Sequence, residues 1–187
     1  MTKLAILASY NGSGFKALYD ASKTKEIDFE IVLVISNNSN ASALQSACEY
    51  KIDNFTVNAK TDPIPDKKIE ELLYEYGCEY VFLSGYMKKL SNDLTKKFKI
   101  INSHPSLLPK YGGEGMYGRF VHEAVIKNKE KISGVTIHEV NENYDEGKVI
   151  LQKELHLNDE ETIDSLESKV KELELNAIVE VFKKYLK

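Results

Sequence analysis

Apolar positions along the chain fall into short continuous runs, and stretches with helical spacing stand between them. Leu4 to Ala8 is the first run, followed by the turn Asn11-Gly12-Ser13-Gly14 and a helical stretch from Phe15 to about Lys25. Phe29 to Ile35 is a second, β-branched run, and Ala41 to Tyr50 a second helical stretch. Phe55-Thr56-Val57 reads as a third, weak strand. From Pro65 to Tyr76, the residues Ile69, Leu72, Leu73 and Tyr76 recur at helical steps, and Pro65 suits a first turn. Tyr80 to Leu83 and Lys99 to Ile101 supply two more apolar runs. Alternation of this kind predicts a mostly parallel, Rossmann-like α/β sheet with helices on both faces.

The pattern changes in the last third. Met116 to Asn128 has helical spacing, whereas Gly134 to Val140 and Lys148 to Leu155 alternate with period two. The residues between those strands, Asn141 to Gly147, read as a loop rather than a tight turn. A C-terminal antiparallel extension of the sheet is therefore expected. Ile163, Leu166, Val170, Leu173, Ala177, Val181 and Tyr185 recur at steps of three and four, which makes the C-terminus a long amphipathic helix. No repeat, low-complexity tract or linker interrupts the chain, so residues 1–187 read as one domain.

Composition adds limits to this picture. A chain of 187 residues can bury one substantial core. Its 42% apolar content and mean hydropathy of −0.36 are ordinary for a soluble globular protein. A net charge of −4 gives no general nucleic-acid surface, and the pairs Lys67-Lys68 and Lys96-Lys97 read as solvated helix faces. The first apolar run is far below the about 20 residues a membrane helix needs, and no signal peptide is visible. A cytoplasmic protein without membrane contact is expected. Cys48 and Cys78 lack metal-ligand spacing and read as buried thiols in a reducing compartment.

The richest chemistry follows Phe98-Lys99-Ile100-Ile101, in Asn102-Ser103-His104-Pro105-Ser106-Leu107-Leu108-Pro109. Asn102 and His104, two apart on an extended chain, point to one face. If Ile101 ends a buried strand, that face opens where α/β proteins keep their ligands, and the prolines hold the segment beyond as a shaped loop. An imidazole can move a proton near neutral pH, and a carboxamide can donate to a developing oxyanion. His122 falls in a helical stretch, His138 on an alternating strand and His156 near a strand end, where structural roles are commoner. Asp145 is a third candidate, because the strand Val149-Ile150-Leu151 could bring its loop over the sheet's end. Within reach of His104, its carboxylate would favour the imidazolium and raise the pKa. The turn Asn11 to Gly14 is open to two readings: a tight turn with Ser13 capping the helix, or backbone amides at a helix N-terminus holding an anion.

Three segments in order resemble the phosphoribosylglycinamide formyltransferase family over nearly the whole chain. They are Leu83-Ser84-Gly85-Tyr86-Met87-Lys88-Lys89-Leu90-Ser91, then Asn102 to Tyr111, then Asp145-Glu146-Gly147 ahead of Val149-Ile150-Leu151-Gln152. The resemblance implies the formyltransferase fold and transfer of a formyl group from 10-formyltetrahydrofolate, a co-substrate, to the amine of 5-phosphoribosylglycinamide in purine (IMP) biosynthesis. It implies Asn102, His104 and Asp145 as the catalytic group. Gly12, Ser13 and Gly14 would hold the ribonucleotide phosphate, and Glu174 its ribose. Met87, Lys88, Lys89 and Leu90, with Asn102 and the loop Asn141, Glu142, Asn143, Tyr144 and Asp145, would wall the folate pocket. It also implies a cis bond before Pro109. No metal is expected, since the amine is already a nucleophile and no second His or Cys stands at ligand spacing. The expected partners are small molecules, neither nucleic acid nor membrane, with the chain a monomer or homodimer.

Three departures from the family pattern stand out. Gly14 replaces a more typical Asn, so a side-chain contact to phosphate is lost while the amides remain. Lys88 replaces Arg, which keeps charge without planar bidentate geometry. The segment Gly112 to Arg119 is longer and richer in glycine, which predicts a different, more mobile loop beside the substrate. Two relatives share the central motif. Methionyl-tRNA formyltransferase adds a domain and a basic surface for tRNA; this net-acidic chain leaves no room for that domain. Formyltetrahydrofolate deformylase, which uses water as acceptor, carries an N-terminal domain that a first strand at Leu4 is expected to exclude. A non-catalytic nucleotide- or folate-binding module is the reading from another class, against which the retained Asn102, His104 and Asp145 speak.

Overall fold

The computed structural model describes residues 1–24 and 27–185. Strands β1 (Thr2–Leu7), β2 (Phe29–Ser36), β3 (Asp53–Thr56), β4 (Tyr80–Leu83), β5 (Lys99–His104), β6 (Ile132–Glu139) and β7 (Val149–His156) form one sheet. Their order is β3-β2-β1-β4-β5-β6-β7. Pairs from β3 through β5 are parallel, while β6 runs antiparallel to both β5 and β7. The mostly parallel sheet with an antiparallel extension is thus the architecture found. Six helices surround it: α1 (Ser13–Ser22), α2 (Ser42–Glu49), α3 (Pro65–Glu75), α4 (Asn92–Lys97), α5 (Arg119–Lys127) and α6 (Ile163–Tyr185). Among the described residues no helix is long and apolar enough to cross a membrane.

The apolar runs work by alternation. Leu4, Ile6, Phe82 and Ile101 point to the face covered by α1, α2, α5 and α6, where Phe15, Leu44, Val121 and Phe182 meet them. Ala5, Leu7, Val81, Leu83 and Ile100 point to the other face, against Ile69 and Leu72 of α3 and Leu94 of α4. Burial on both faces explains why these strands read as continuous apolar runs. The strand order reverses between β1 and β4, and the crevice beyond that switch point is where open α/β sheets bind ligands. The two loops leaving it are tied together: the Ser9 amide donates to the Gly85 carbonyl (3.1 Å), and the Met87 amide donates to Ser9 Oγ (2.8 Å).

Three expectations need correction, and one helix escaped the sequence pattern. β5 does not end at Ile101 but continues through His104, because Asn102 pairs with Leu83 of β4 and with His138 of β6. Backbone partners on both sides hold polar residues in the strand. α5 starts at Arg119 rather than Met116, since Gly113, Gly115 and Gly118 adopt positive φ ahead of it. The polar helix α4, nucleated by the Ser91 cap and anchored by the single buried Leu94, left no periodic signal. Cys48 is exposed on α2 rather than buried. Cys78 is buried, which pushes its thiol up to about 12. The first helical stretch closes at Ser22, and its expected end at Lys25 lies outside the described residues.

Candidate active site

A cavity of about 870 Å³ opens at the switch point. Its floor begins at the turn into α1. Gly12 is the N-cap, at φ 59 and ψ 47, a left-handed conformation that glycine adopts freely. No side chain caps the helix, so Ser13 does not play the capping role. The Phe15 amide donates to Ser84 Oγ (3.0 Å), and among the described residues the Ser13 and Gly14 amides have no acceptor. The first turn carries no acidic residue. Free amides at the positive end of a helix suit an anion. A Cβ at Gly14 would come within 2.8 Å of Phe82 Cε1 and 3.1 Å of Ile178 Cδ1. Tight packing of α1 on β4 and α6 thus accounts for glycine where the family more typically carries Asn.

β5 then deals its polar residues to opposite faces. Ser103 follows the face of Ile101 and donates its hydroxyl to Glu174 Oε1 of α6 (2.6 Å). Burial pushes the Glu174 carboxyl above the usual range, and the Ser103 bond only partly opposes this. Asn102 and His104 follow Ile100 to the other face. His104 is 4% exposed. Its Nε2 lies 2.7 Å from the Tyr111 carbonyl, and a carbonyl can only accept, so Nε2 carries the proton. Nδ1 faces Asp145 Oδ2 at 3.4 Å.

Asp145 reaches this place from the loop between β6 and β7, at φ 57. Its Oδ2 also accepts the Gly113 amide (2.9 Å), and its Oδ1 stands 3.5 Å from His138 Nε2. Burial pushes its carboxyl up, but the nearby His138 and His104 rings and the Gly113 amide outweigh it and hold the group below the usual range. His104 is the reverse. Burial drives it below the ordinary histidine value, and Asp145 and the Tyr111 carbonyl raise it only partway back. The expectation that Asp145 sets a raised His104 is therefore corrected: desolvation wins in the free protein.

His138 was read as an ordinary strand histidine, yet it completes this group. Its Nδ1 donates to the Glu139 carbonyl (2.8 Å), leaving Nε2 to accept from Asn102 Nδ2 (3.2 Å). That bond fixes which way the Asn102 carboxamide faces. A register shift between Ile137 and His138 accompanies the placement, in the manner of bulges beside sites. The loop beyond His104 is pinned as well. Thr136 Oγ1 donates to the Ser106 carbonyl (2.7 Å), and Gln152 Nε2 donates to the Leu108 carbonyl (2.8 Å). The Leu108–Pro109 bond is cis.

The cavity brings together Gly12, Ser13, Gly14, Met87, Lys88, Asn102, His104, Tyr144, Asp145 and Glu174. It does not bring in the others named from the sequence. Lys89 instead stands over the outer side of the wall, its Nζ 5.2 Å from the Tyr144 ring centre. Leu90 packs into the core on the α3 side. Asn141, Glu142 and Asn143 are exposed on the loop, where Asn141 Oδ1 accepts the Asn143 amide (2.9 Å) and shapes the turn. Among the described residues no group of three or more His, Cys, Asp or Glu could hold a metal ion.

The raised Glu174 makes a stability prediction. An acid with a raised folded pKa stabilises the fold below its unfolded value, and this contribution is lost as pH rises through the folded value. At neutral pH its ionisation is therefore a cost. Glu174→Gln should raise the thermal midpoint at pH 8, with the gap to the parent narrowing toward pH 4. A midpoint lowered at pH 8 would contradict it.

One cavity of a doubly wound sheet thus holds the unpaired Ser13 and Gly14 amides together with Asn102, His104 and Asp145. The profile of the formyl transferase family matches residues 2–182. The chain belongs to that family. It is 32% identical to the chloroplastic phosphoribosylglycinamide formyltransferase of Arabidopsis thaliana, over 96% of this chain and 63% of that protein. It is 34% identical to the phosphoribosylglycinamide formyltransferase of Haemophilus influenzae, over 93% of this chain and 82% of that one. The crystal structure of phosphoribosylglycinamide formyltransferase from Bacillus halodurans superimposes with a TM-score of 0.90 at 28% identity, covering 99% of this chain and 95% of that one. The chain thus spans less than two thirds of the chloroplast protein's length and most of the bacterial ones'.

Proposed function

We propose that this chain is a phosphoribosylglycinamide formyltransferase, with residues 1–187 as one catalytic domain. It would take the formyl group of 10-formyltetrahydrofolate to the primary amine of 5-phosphoribosylglycinamide, a step of purine (IMP) biosynthesis. One observation carries the reading: a single cavity joins unpaired amides at Gly12 to Gly14 with Asn102, His104 and Asp145. The phosphate belongs at those amides, the ribose at Glu174, and the folate against Met87, Lys88 and Tyr144. Lys89, Leu90 and the loop Asn141 to Asn143 would support that folate wall.

The amine attacks the formyl carbon, a C–N bond forms, and the formyl oxygen takes the charge. The second Asn102 amide hydrogen, not used by His138, is the donor for that oxyanion. The neutral His104, its Nε2 proton spent on Tyr111, has Nδ1 open to take the proton the amine releases. Asp145 at 3.4 Å stabilises the imidazolium that results. As the bond from the formyl carbon to N10 breaks, that proton goes to N10, and the N-formylated ribonucleotide and tetrahydrofolate leave. The family resemblance and the net charge of −4 support small-molecule partners, a cytoplasmic location, and a monomer or homodimer free of nucleic acid and membrane.

The deciding measurement is tetrahydrofolate release with and without the ribonucleotide. Release that requires the ribonucleotide is expected; equal release without it would mean that water is the acceptor. The phosphate assignment has its own test at Ser13, since a substitution at Gly12 would be strained by its φ and by Ala43 Cβ at 3.0 Å. Ser13→Asp places a carboxylate in the first turn of α1, which favours the helix by about 0.3–1 kcal/mol. The same charge repels a phosphate by about 4 kcal/mol at 4 Å in a partly screened site. Ribonucleotide affinity should fall about a thousandfold while the thermal midpoint holds or rises. Unchanged affinity would remove the anion cradle.

A further inference from the structure

His122 of α5 is 4% exposed and borders the same cavity, yet its Nδ1 has no hydrogen-bond partner. An unpaired buried imidazole nitrogen destabilises the free protein, so it asks for a partner that arrives later. The surrounding charges do not supply one. Glu167 Oε2 is taken by Arg119 Nη1 at 3.1 Å, and Arg119 also binds Asp164. Burial holds His122 toward its neutral form, with Glu167 opposing and Arg119 and His104 reinforcing that trend. A neutral imidazole offers one donor and one acceptor, which is the pairing set of a carboxamide and a poor match for a phosphate.

Position narrows the ligand group further. Ile178, Glu174, Val170 and Glu167 of α6 border the cavity in turn. Ile178 lies beside Gly14, at the anion cradle. Glu167 lies 11 residues away along α6 (178 − 167), about 16 Å at 1.5 Å per residue. Phosphate, then ribose, then the glycinamide arm occupy this line in order, with His122 and Glu167 at the arm's end. We propose that His122 hydrogen-bonds the carboxamide of the glycinamide arm and so helps to select the acceptor. This inference rests on the acceptor reading above.

The test compares binding of glycinamide ribonucleotide and of ribose 5-phosphate by calorimetry, alongside the transfer assay. His122→Phe removes both nitrogens and should weaken the ribonucleotide about tenfold, while ribose 5-phosphate changes less than about twofold. His122→Asn, which keeps a donor and an acceptor, should recover much of that loss. If the phenylalanine variant does not fold, His122→Leu against His122→Asn reads the same contrast. Equal losses for both ligands, or none, would overturn the inference while leaving transfer by the parent protein intact. A parent that binds the ribonucleotide but transfers nothing, with the selective His122 loss preserved, would sink the transferase reading and spare this one. A parent that does not bind the ribonucleotide would overturn both.

Discussion

Replacing His104 with alanine is expected to lower formyl transfer about 10³-fold or more. The group is asked to take a proton from the amine and return it to N10, work typically worth 10²–10⁴. The oxyanion donor is Asn102, which the substitution leaves in place. Stability should change far less than activity. His104 lines the cavity, and its folded value lies below the ordinary one. A group of that kind destabilises the fold as pH drops below about 6.5, because the unfolded chain takes up a proton that the native state resists. The variant should accordingly lose less stability in mild acid than its parent does. Thermal midpoints between pH 8 and pH 5, with single-turnover rates, check both halves. An alanine variant that unfolds readily but keeps its specific rate would make His104 a packing residue.

Asp145→Asn is the second large effect, about a hundredfold in kcat/KM. The carboxylate does three things that the amide cannot do together. It faces Nδ1 of His104, approaches Nε2 of His138 and accepts the Gly113 amide. Without its charge only the Tyr111 carbonyl opposes the desolvation of His104, whose value then falls further. The acid limb of the pH profile of kcat/KM, which reports the base in the free protein, should lie below 6.5 in the parent and lower still in the variant. A limb at or above 6.5 in the parent would show that the imidazolium is the resting form. The depressed Asp145 itself contributes stability that is present above its unfolded value near 3.8 and lost as pH falls through the folded one. Asp145→Asn is therefore expected to lower the midpoint at pH 7 and to match its parent near pH 2.

Much of this was legible in the order of residues. The runs Leu4–Ala8 and Tyr80–Leu83 are apolar at every step, and Phe29–Ile35 at every step but Glu30, because both faces of those strands are largely buried, a condition that a local pattern can carry. Lys148–Leu155 alternates because β7 is the edge strand, where one face is less enclosed. Asn102 and His104 were recognisable as a same-face pair from their spacing alone. Helix α4 was not legible, because a six-residue helix with one buried leucine has no period to detect. His138 was not legible either. Its partnership with Asn102 depends on which residue of β6 lies opposite which residue of β5, and register comes from long-range pairing rather than from neighbours in sequence.

By itself the sequence determined the strand-and-helix alternation and the mixed sheet, and it singled out Gly12 to Gly14, Asn102, His104 and Asp145, which line one cavity. Only the tertiary structure decided how those groups are charged and aimed. It placed Phe82 and Ile178 where they leave no room for a side chain at Gly14, turned Ser103 to Glu174 and its two neighbours to the other face, and set His138 behind Asn102. It also showed burial outweighing Asp145 at His104. The reason is physical: pairing and desolvation are properties of enclosure by residues distant along the chain, and enclosure exists only once the sheet has closed over them.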